Sequence, residues 1–207
     1  MQLINKASVK KTFAHTWYIY PLVGAIITIL WLWGYQAYHQ PTTHQMLSIF
    51  FATEIHDESF LKDILKKYDR EDLREVEPSY CLPSGNGYAT KLQLAVNNAD
   101  ILILDDKTMF DFNGHQDSFF YQITPEVKEK YLTSENAYYT YEEKDYGVLL
   151  KHKEAEHFLS KYMTFDESKD YYIALSITSK NVGSLIDENN AHYDNALTIM
   201  KYLISEN

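Results

Sequence analysis

Three aspartates stand close together in the sequence, at Asp105, Asp106 and Asp111. Crowded carboxylates can shift one another's pKa or hold a hard cation. Neighbouring residues seldom converge in space, however, and the chain has neither a His-x-x-x-His pair nor an Asp-x-Asp-x-Asp-Gly loop. We therefore expect no metal and no catalytic residues, and keep a hydrolase that depends on Asp105 and Asp106 as an alternative.

Nucleophilic and phosphate chemistry have no matching pattern either. The chain lacks a Gly-x-Ser-x-Gly elbow, and Cys81, its single cysteine, has no identifiable partner. The run SGNG at 84–87 lacks the Lys-Ser/Thr ending of a phosphate-binding loop. We expect a non-enzymatic protein without a cofactor.

Six polar residues follow the ends of predicted strands, where ligands bind in open α/β sheets. Carboxylates there could accept hydrogen bonds from a sugar hydroxyl or an ammonium group, and a tyrosine ring could stack on a sugar. The structural alternative is that Asp106 caps the next helix and Asp105 ends its strand in solvent. The candidate ligand-binding residues are Thr53, Glu54, Tyr80, Ser84, Asp105 and Asp106.

Tyrosine is abundant, with 18 in 207 residues. Such residues fill cores with their hydroxyls at the rim, line carbohydrate sites or form protein contact surfaces. The candidate partner surface consists of Tyr138, Tyr139, Tyr141 and Tyr146.

The elements that would position these residues alternate between strands and helices. Short apolar runs predict strands, and apolar residues spaced by three and four predict helices. The first half reads β-α-β-α-β, which predicts one open, mainly parallel sheet with helices on both faces. Its elements are a strand at 46–53, a helix at 59–68 with Ser59 or Asp57 as cap, a strand at 72–78, a helix from Tyr88 to 98 and a strand at 101–104.

The second half is less regular. Thr124 followed by Pro125 predicts the start of a helix, and 134–145 reads as a polar connection rich in tyrosine. The other predicted elements are an extended segment at 116–123, strands at 146–151 and 171–178, and helices at 154–163 and 193–204.

A membrane anchor is predicted at 17–39. Residues 17–35 carry no charge and would rise about 28 Å as a helix, close to the thickness of a bilayer core. Tryptophan and tyrosine stand at both ends, as they do at membrane interfaces. A cleaved signal peptide and a buried core helix are the alternatives.

The flanking charges predict the orientation. Lys6, Lys10 and Lys11 precede the span, and no Lys or Arg follows it before Lys62. By the positive-inside rule, we expect residues 1–16 in the cytoplasm. A stalk at 40–45 and one extracytoplasmic α/β domain at 46–207 would follow.

The charge of the exported part argues against nucleic acid as a partner. Residues 1–50 contain no acid, which leaves 16 of the 19 bases against all 29 acids. A surface of that sign repels phosphate backbones.

Two stretches resemble extracellular solute-binding proteins of ABC importers. One is 88–124, with its KLQ helix and ADILILD strand, and the other is YYIALSITSKNVG at 171–183 with the helix that follows. The chain resembles a single lobe with a transmembrane anchor in place of the usual pair of lobes, which implies half of a periplasmic-binding-protein-like fold. The resemblance implies an accessory that docks on a multi-pass membrane protein such as a permease. A one-lobed receptor for a small sugar or peptide is the alternative.

Overall fold

The computed structural model describes residues 16–39, 45–67, 73–179, 181 and 194–205. The chain divides into two compact units, residues 1–40 and 41–207. The predicted cytoplasmic segment and stalk lie almost wholly outside the described residues, as does Tyr193 at the start of the predicted last helix.

The first unit holds one long helix, α1 (Ile19–His39), in which no residue is buried. Its length and composition suffice to cross a membrane, although a signal sequence would pass the same test. A core helix buries most of its apolar side chains, and no residue of α1 is buried.

The second unit is a mixed α/β domain around a six-stranded sheet with the strand order β3-β1-β4-β8-β6-β5. A separate pair of short strands joins β2 to β7. The strands are β1 (Met46–Phe51), β2 (Glu54–Ile55), β3 (Glu75–Tyr80), β4 (Ile101–Asp105), β5 (Tyr138–Tyr141), β6 (Lys144–Lys151), β7 (Met163–Thr164) and β8 (Tyr171–Leu175).

The first half of the sheet has the predicted β-α-β-α-β order. Strand β1 pairs in parallel with both β3 and β4. The second half is antiparallel, from β4 through β8 and β6 to β5. The helices are α2 (Ser59–Lys67), α3 (Tyr88–Asn98), α4 (Asp106–Asp111), α5 (Gln116–Phe119), α6 (Pro125–Tyr131) and α7 (Asn195–Ser205), with a 3₁₀ turn at Phe158–Lys161.

The sheet separates two apolar clusters. Strand β1 shows the division, because Leu47 and Ile49 belong to one cluster and Phe50 to the other. The first cluster includes side chains of α2, α6 and α7, and the second includes side chains of α3 and α4. Helices therefore cover both faces of the sheet, as a strand buried on both sides requires.

Three predicted elements of the second half are wrong. The extended segment at 116–123 begins as α5, the polar connection at 134–145 contains the hairpin of β5 and β6, and the helix at 154–163 is a 3₁₀ turn followed by β7. The secondary structure of these segments is set by tertiary pairing, because none of them has a hydrophobic periodicity strong enough to specify a helix or a strand locally. The predicted cap of α6 is confirmed, since Thr124 Oγ1 accepts the Val127 N–H at 3.4 Å.

Candidate functional site

The carboxyl ends of β1 and β4 are closed by one segment of the chain, 164–169. Thr53, at the end of β1, is fully buried, and its hydroxyl donates to the Thr164 carbonyl. Asp105, at the end of β4, is also fully buried and forms an ion pair with Lys169. The side chains of Thr53 and Asp105, which were predicted to contact a ligand, therefore contact this segment.

The cap that the structural alternative gave to Asp106 belongs to Asp105, which is buried and not in solvent. Asp105 is the N-cap of α4, and its Oδ1 accepts the Thr108 N–H at 2.8 Å. Asp106 is the first helical residue, and its half-buried carboxylate accepts the N–H of Lys107 at 2.8 Å. The boundary differs because β4 runs one residue further than its apolar run.

The surroundings of Asp105 are polar and well bonded. The Tyr88 hydroxyl lies 3.0 Å from Thr108 Oγ1, and burial raises the pKa of Tyr88. Tyr171 accepts the Asp166 N–H at 3.1 Å, and burial raises its pKa. Burial opposes the charge of Lys169, but the hydrogen bond and charge of Asp105 outweigh it and raise the pKa of the lysine. The raised pKa values keep Tyr88, Tyr171 and Lys169 protonated at neutral pH, which suits structural support better than proton transfer.

The other predicted ligand residues lie apart from this closed crevice. Glu54 is exposed at the start of β2, and Ser84 is exposed in the loop after β3. Tyr80, with 41% of its surface exposed, lines a groove of about 530 Å³ between α3 and the edge strand β3. The groove also has Phe50, Leu94 and Lys91 in its walls. The six residues do not form one site.

A second groove, of about 520 Å³, lies beside β6 at the ends of α6 and α7. It is lined by two lysines, Lys151 and Lys201, and by two acids, Glu135 and Glu156. These charges balance, so the groove has no preference for a ligand of either sign. Across the described ranges, no group of three or more His, Cys, Asp or Glu side chains could hold a metal ion.

The four tyrosines of the predicted partner surface differ in exposure. Tyr138, Tyr139 and Tyr141 are half-buried on the edge strand β5. Tyr146 is buried in β6, between β5 and β8, and its hydroxyl donates to Asp117 Oδ1 at 2.6 Å. Tyr146 therefore lies in the interior and not on a contact surface, because its side chain packs in the second apolar cluster.

Ion pairs fix the lysines around β5. Lys128 pairs with Asp145, and its ammonium lies 4.3 Å from the centre of the Tyr138 ring. Lys144 pairs with Asp117 at 2.8 Å. Lys144 and Tyr146 both donate to Asp117 and hold its pKa below the usual value. These bases are therefore already paired within the domain.

Two features of these regions have no signal in the sequence pattern. Lys169 is 64 residues from Asp105, so no local spacing could indicate the pair. The turn between β5 and β6 consists of Glu142 and Glu143, both with positive φ, whereas Asn-Gly or Asp-Gly would have marked a hairpin.

The fold defines a mixed α/β domain preceded by an apolar helix, and comparison with known proteins adds no narrower class. No family model matches the chain, and no curated protein or solved structure does so.

Proposed function

We propose that the protein is a single-pass, membrane-anchored docking protein without enzymatic activity. In this proposal α1 is retained and spans the bilayer, the amino terminus is cytoplasmic, and the domain from residue 46 onward is extracytoplasmic. The domain binds a multi-pass membrane protein such as a permease. Support for the anchor comes from a helix of 21 residues with no buried side chain and from the lysines that precede it.

One observation carries the choice of docking over ligand capture: Asp105 is fully buried and paired with Lys169. An ammonium group of the chain itself takes the place at the strand end that a charged ligand would need. The half-buried tyrosines of β5 instead offer aromatic surface at the sheet edge, and tyrosine is enriched in protein interfaces.

The strand order is compatible with the resemblance to one lobe of a solute-binding protein. Three parallel strands in the order β3-β1-β4 are followed by the antiparallel strand β8, which corresponds to the return strand of the resembling segment at 171–183. Under this proposal the domain is half of a periplasmic-binding-protein-like fold. A single lobe cannot close over a solute, which favours an accessory role.

A one-lobed receptor for a small sugar or peptide is the second candidate. The groove of about 530 Å³ beside α3 favours it, because Tyr80 could stack on a ring and Lys91 could bind a carboxylate or hydroxyl. The site would then lie on the groove beside α3, away from the strand-end carboxylates. No observation favours the hydrolase, since Asp105 is committed to a cap and an ion pair.

Co-purification tests the docking function. The full chain and an anchor-only chain of residues 1–45 would be isolated from membranes in the same mild detergent. We expect one multi-pass protein to be enriched with the full chain over the anchor-only control. Equal recovery with both chains would contradict a docking role for the domain.

A labelling experiment tests the orientation. Cys81 is the only cysteine and is buried, so an Asn86→Cys variant adds one exposed thiol on a low background. We expect a membrane-impermeant maleimide to label this variant in intact cells, on a chain whose mass still includes α1. Labelling only after permeabilisation would contradict the orientation, and loss of α1 from the mature chain would contradict the anchor.

A further inference from the structure

We propose that the outer edge of β5 binds an extended, basic segment of the partner as an added strand. This inference rests on the proposed docking function and specifies how the partner binds. In strand addition, backbone hydrogen bonds at a free sheet edge supply affinity, and neighbouring side chains supply specificity.

The backbone of β5 is available on one side. Among the described residues, β5 pairs only with β6. Leu149 donates to the Ala137 carbonyl at 2.8 Å, and Tyr141 opposes Lys144 across the turn. The register shifts between Tyr139 and Thr140, where β6 carries the extra residue, Tyr146. Inward and outward groups therefore still alternate along β5, and the backbone N–H and C=O of Tyr138 and Thr140 point away from β6.

The opposite edge of the sheet carries the features that block strand addition. Strand β3 contains Glu75, Glu77 and Pro78. Charges and proline on edge strands prevent pairing with another chain. Strand β5 has the sequence Tyr-Tyr-Thr-Tyr, with neither a charge nor a proline. Its short length limits the added strand to a few backbone hydrogen bonds.

The charge around β5 selects a basic segment. Lys128 and Lys144 are paired with Asp145 and Asp117. Glu142 and Glu143, in the turn that follows β5, are exposed, and in the described ranges no base lies within 4 Å of them. A lysine or arginine side chain on an added strand could therefore pair with these glutamates or stack on the tyrosine rings.

The backbone conformation of the β5–β6 turn indicates that Glu142 and Glu143 serve a contact outside the domain. Glu142 has φ 48° and Glu143 has φ 65°, a left-handed conformation that favours Gly or Asn. Two glutamates at these positions oppose the local preference. Glu142 interacts with the Tyr141 hydroxyl, but neither glutamate has an ion pair in the described domain. A local conflict of this kind is typical of a functional position.

Peptide binding to the full chain tests the proposal. The chain would be placed in nanodiscs of neutral phosphatidylcholine, with anchor-only nanodiscs as the blank, because anionic lipid would bind a basic peptide by itself. The probes are the labelled peptide Lys-Val-Thr-Val-Lys-Val and the same peptide with Glu in place of each Lys. We expect fluorescence anisotropy to show binding of the basic peptide alone, and loss of that binding when the peptide's amides are N-methylated.

Two sets of variants separate the contribution of the backbone edge to peptide binding from that of the glutamate charges. Thr140→Pro removes an outward N–H and should abolish binding, whereas Thr140→Val loses only the hydroxyl bond to Asp145 and should bind as the parent does. The double variant Glu142→Asn and Glu143→Gly should weaken binding about fivefold. The same double variant should raise the unfolding midpoint by about 3 °C or more.

Glu154→Asn is the matched control for strain. Glu154 is exposed with φ 60° and lies outside the β5–β6 turn, so its replacement should stabilise the domain without changing peptide binding. Equal binding of the acidic and basic peptides, or unchanged binding by Thr140→Pro, overturns the proposal. A dimer of the full chain that Thr140→Pro disrupts also overturns it, because the occupant would be a second copy. If the peptide tests fail but the partner still co-purifies with the full chain, the strand-addition proposal is wrong and the docking function is retained.

Discussion

The crevice at the carboxyl ends of β1 and β4 and the outer edge of β5 use their polar groups in opposite ways. In the crevice, the Thr53 hydroxyl and the Asp105 carboxylate are buried and bonded within the domain. At the β5 edge, the tyrosine rings are half-buried, and the outward backbone groups pair with no other strand among the described residues. The strand ends that bind ligands in many α/β sheets can thus instead hold together segments of the domain itself.

Replacement of Asp105 should have the largest effect on stability. Asp105→Ala removes the cap of α4 and leaves Lys169 without its counter-ion, so we expect a loss of about 3–5 kcal/mol in the free energy of unfolding. Urea unfolding of the full chain in detergent, followed by tyrosine near-UV signals, measures it. Tryptophan fluorescence is unsuitable because Trp17, Trp31 and Trp33 all lie in or beside α1.

Asp106→Asn is the control for that experiment. Among the described residues, the half-buried side chain of Asp106 accepts only the Lys107 N–H, so the change should stay within about 0.5 kcal/mol. Equal losses for the two aspartates would contradict the assignment of Asp105 as the closed, structural carboxylate.

A buried histidine should make the free energy of unfolding depend on pH. His157 accepts the Leu159 N–H at 3.2 Å and lies 3.2 Å from the Leu203 carbonyl, and burial lowers its pKa from 6.5 to about 4. Because the unfolded chain binds this proton more readily, stability is fully present above pH 6.5 and falls as the pH drops towards 4. The loss should reach about 2 kcal/mol by pH 5.

Urea unfolding at pH 7 and pH 5 in the parent and in His157→Asn isolates this contribution. Asparagine can still accept the Leu159 N–H, so the variant should lack most of the pH-dependent loss. The same loss in both proteins would show that His157 is not its source.

The tyrosines should separate into buried and edge positions. Tyr146→Phe removes a hydrogen bond to a carboxylate and should cost about 1.5 kcal/mol. Tyr141→Phe, at the half-buried end of β5, should change stability by less than about 0.5 kcal/mol. The two free energies of unfolding, measured side by side, would contradict the division if Tyr141→Phe were the more damaging change.

The smallest effect is expected from ligands at the strand ends. A thermal-shift screen of the full chain with simple sugars and short peptides should leave the unfolding midpoint unchanged, because the crevice is already filled. A shift that Lys169→Met enhances would instead identify the strand ends as a ligand site. A shift that Tyr80→Ala removes would support the groove beside α3.

Local patterns predicted the first half of the sheet because each of its elements has a strong signal. The run ILIL at 101–104 is too short for a helix, and Phe60, Leu61 and Ile64 recur at helical spacing. The turn after β5 escaped prediction because Glu142 and Glu143 are unusual in left-handed backbone.

The candidate site was less accessible to prediction because its decisive contacts are long-range. The rule for strand ends located Thr53 just after β1 and Asp105 at the end of β4, but their partners come from the segment before β8. Tyr146 is buried because it packs in the second apolar cluster with residues distant in sequence such as Met109 and Ala174, which a polar-looking stretch does not indicate.

Site-specific photocrosslinking in living cells tests the central claim most directly. A photoreactive amino acid would replace Thr140 on β5 or, in a separate chain, Ser84 in the loop after β3, both of which are exposed. We predict a covalent product with a multi-pass membrane protein from position 140 and none from position 84. A product from position 84 alone would contradict the account.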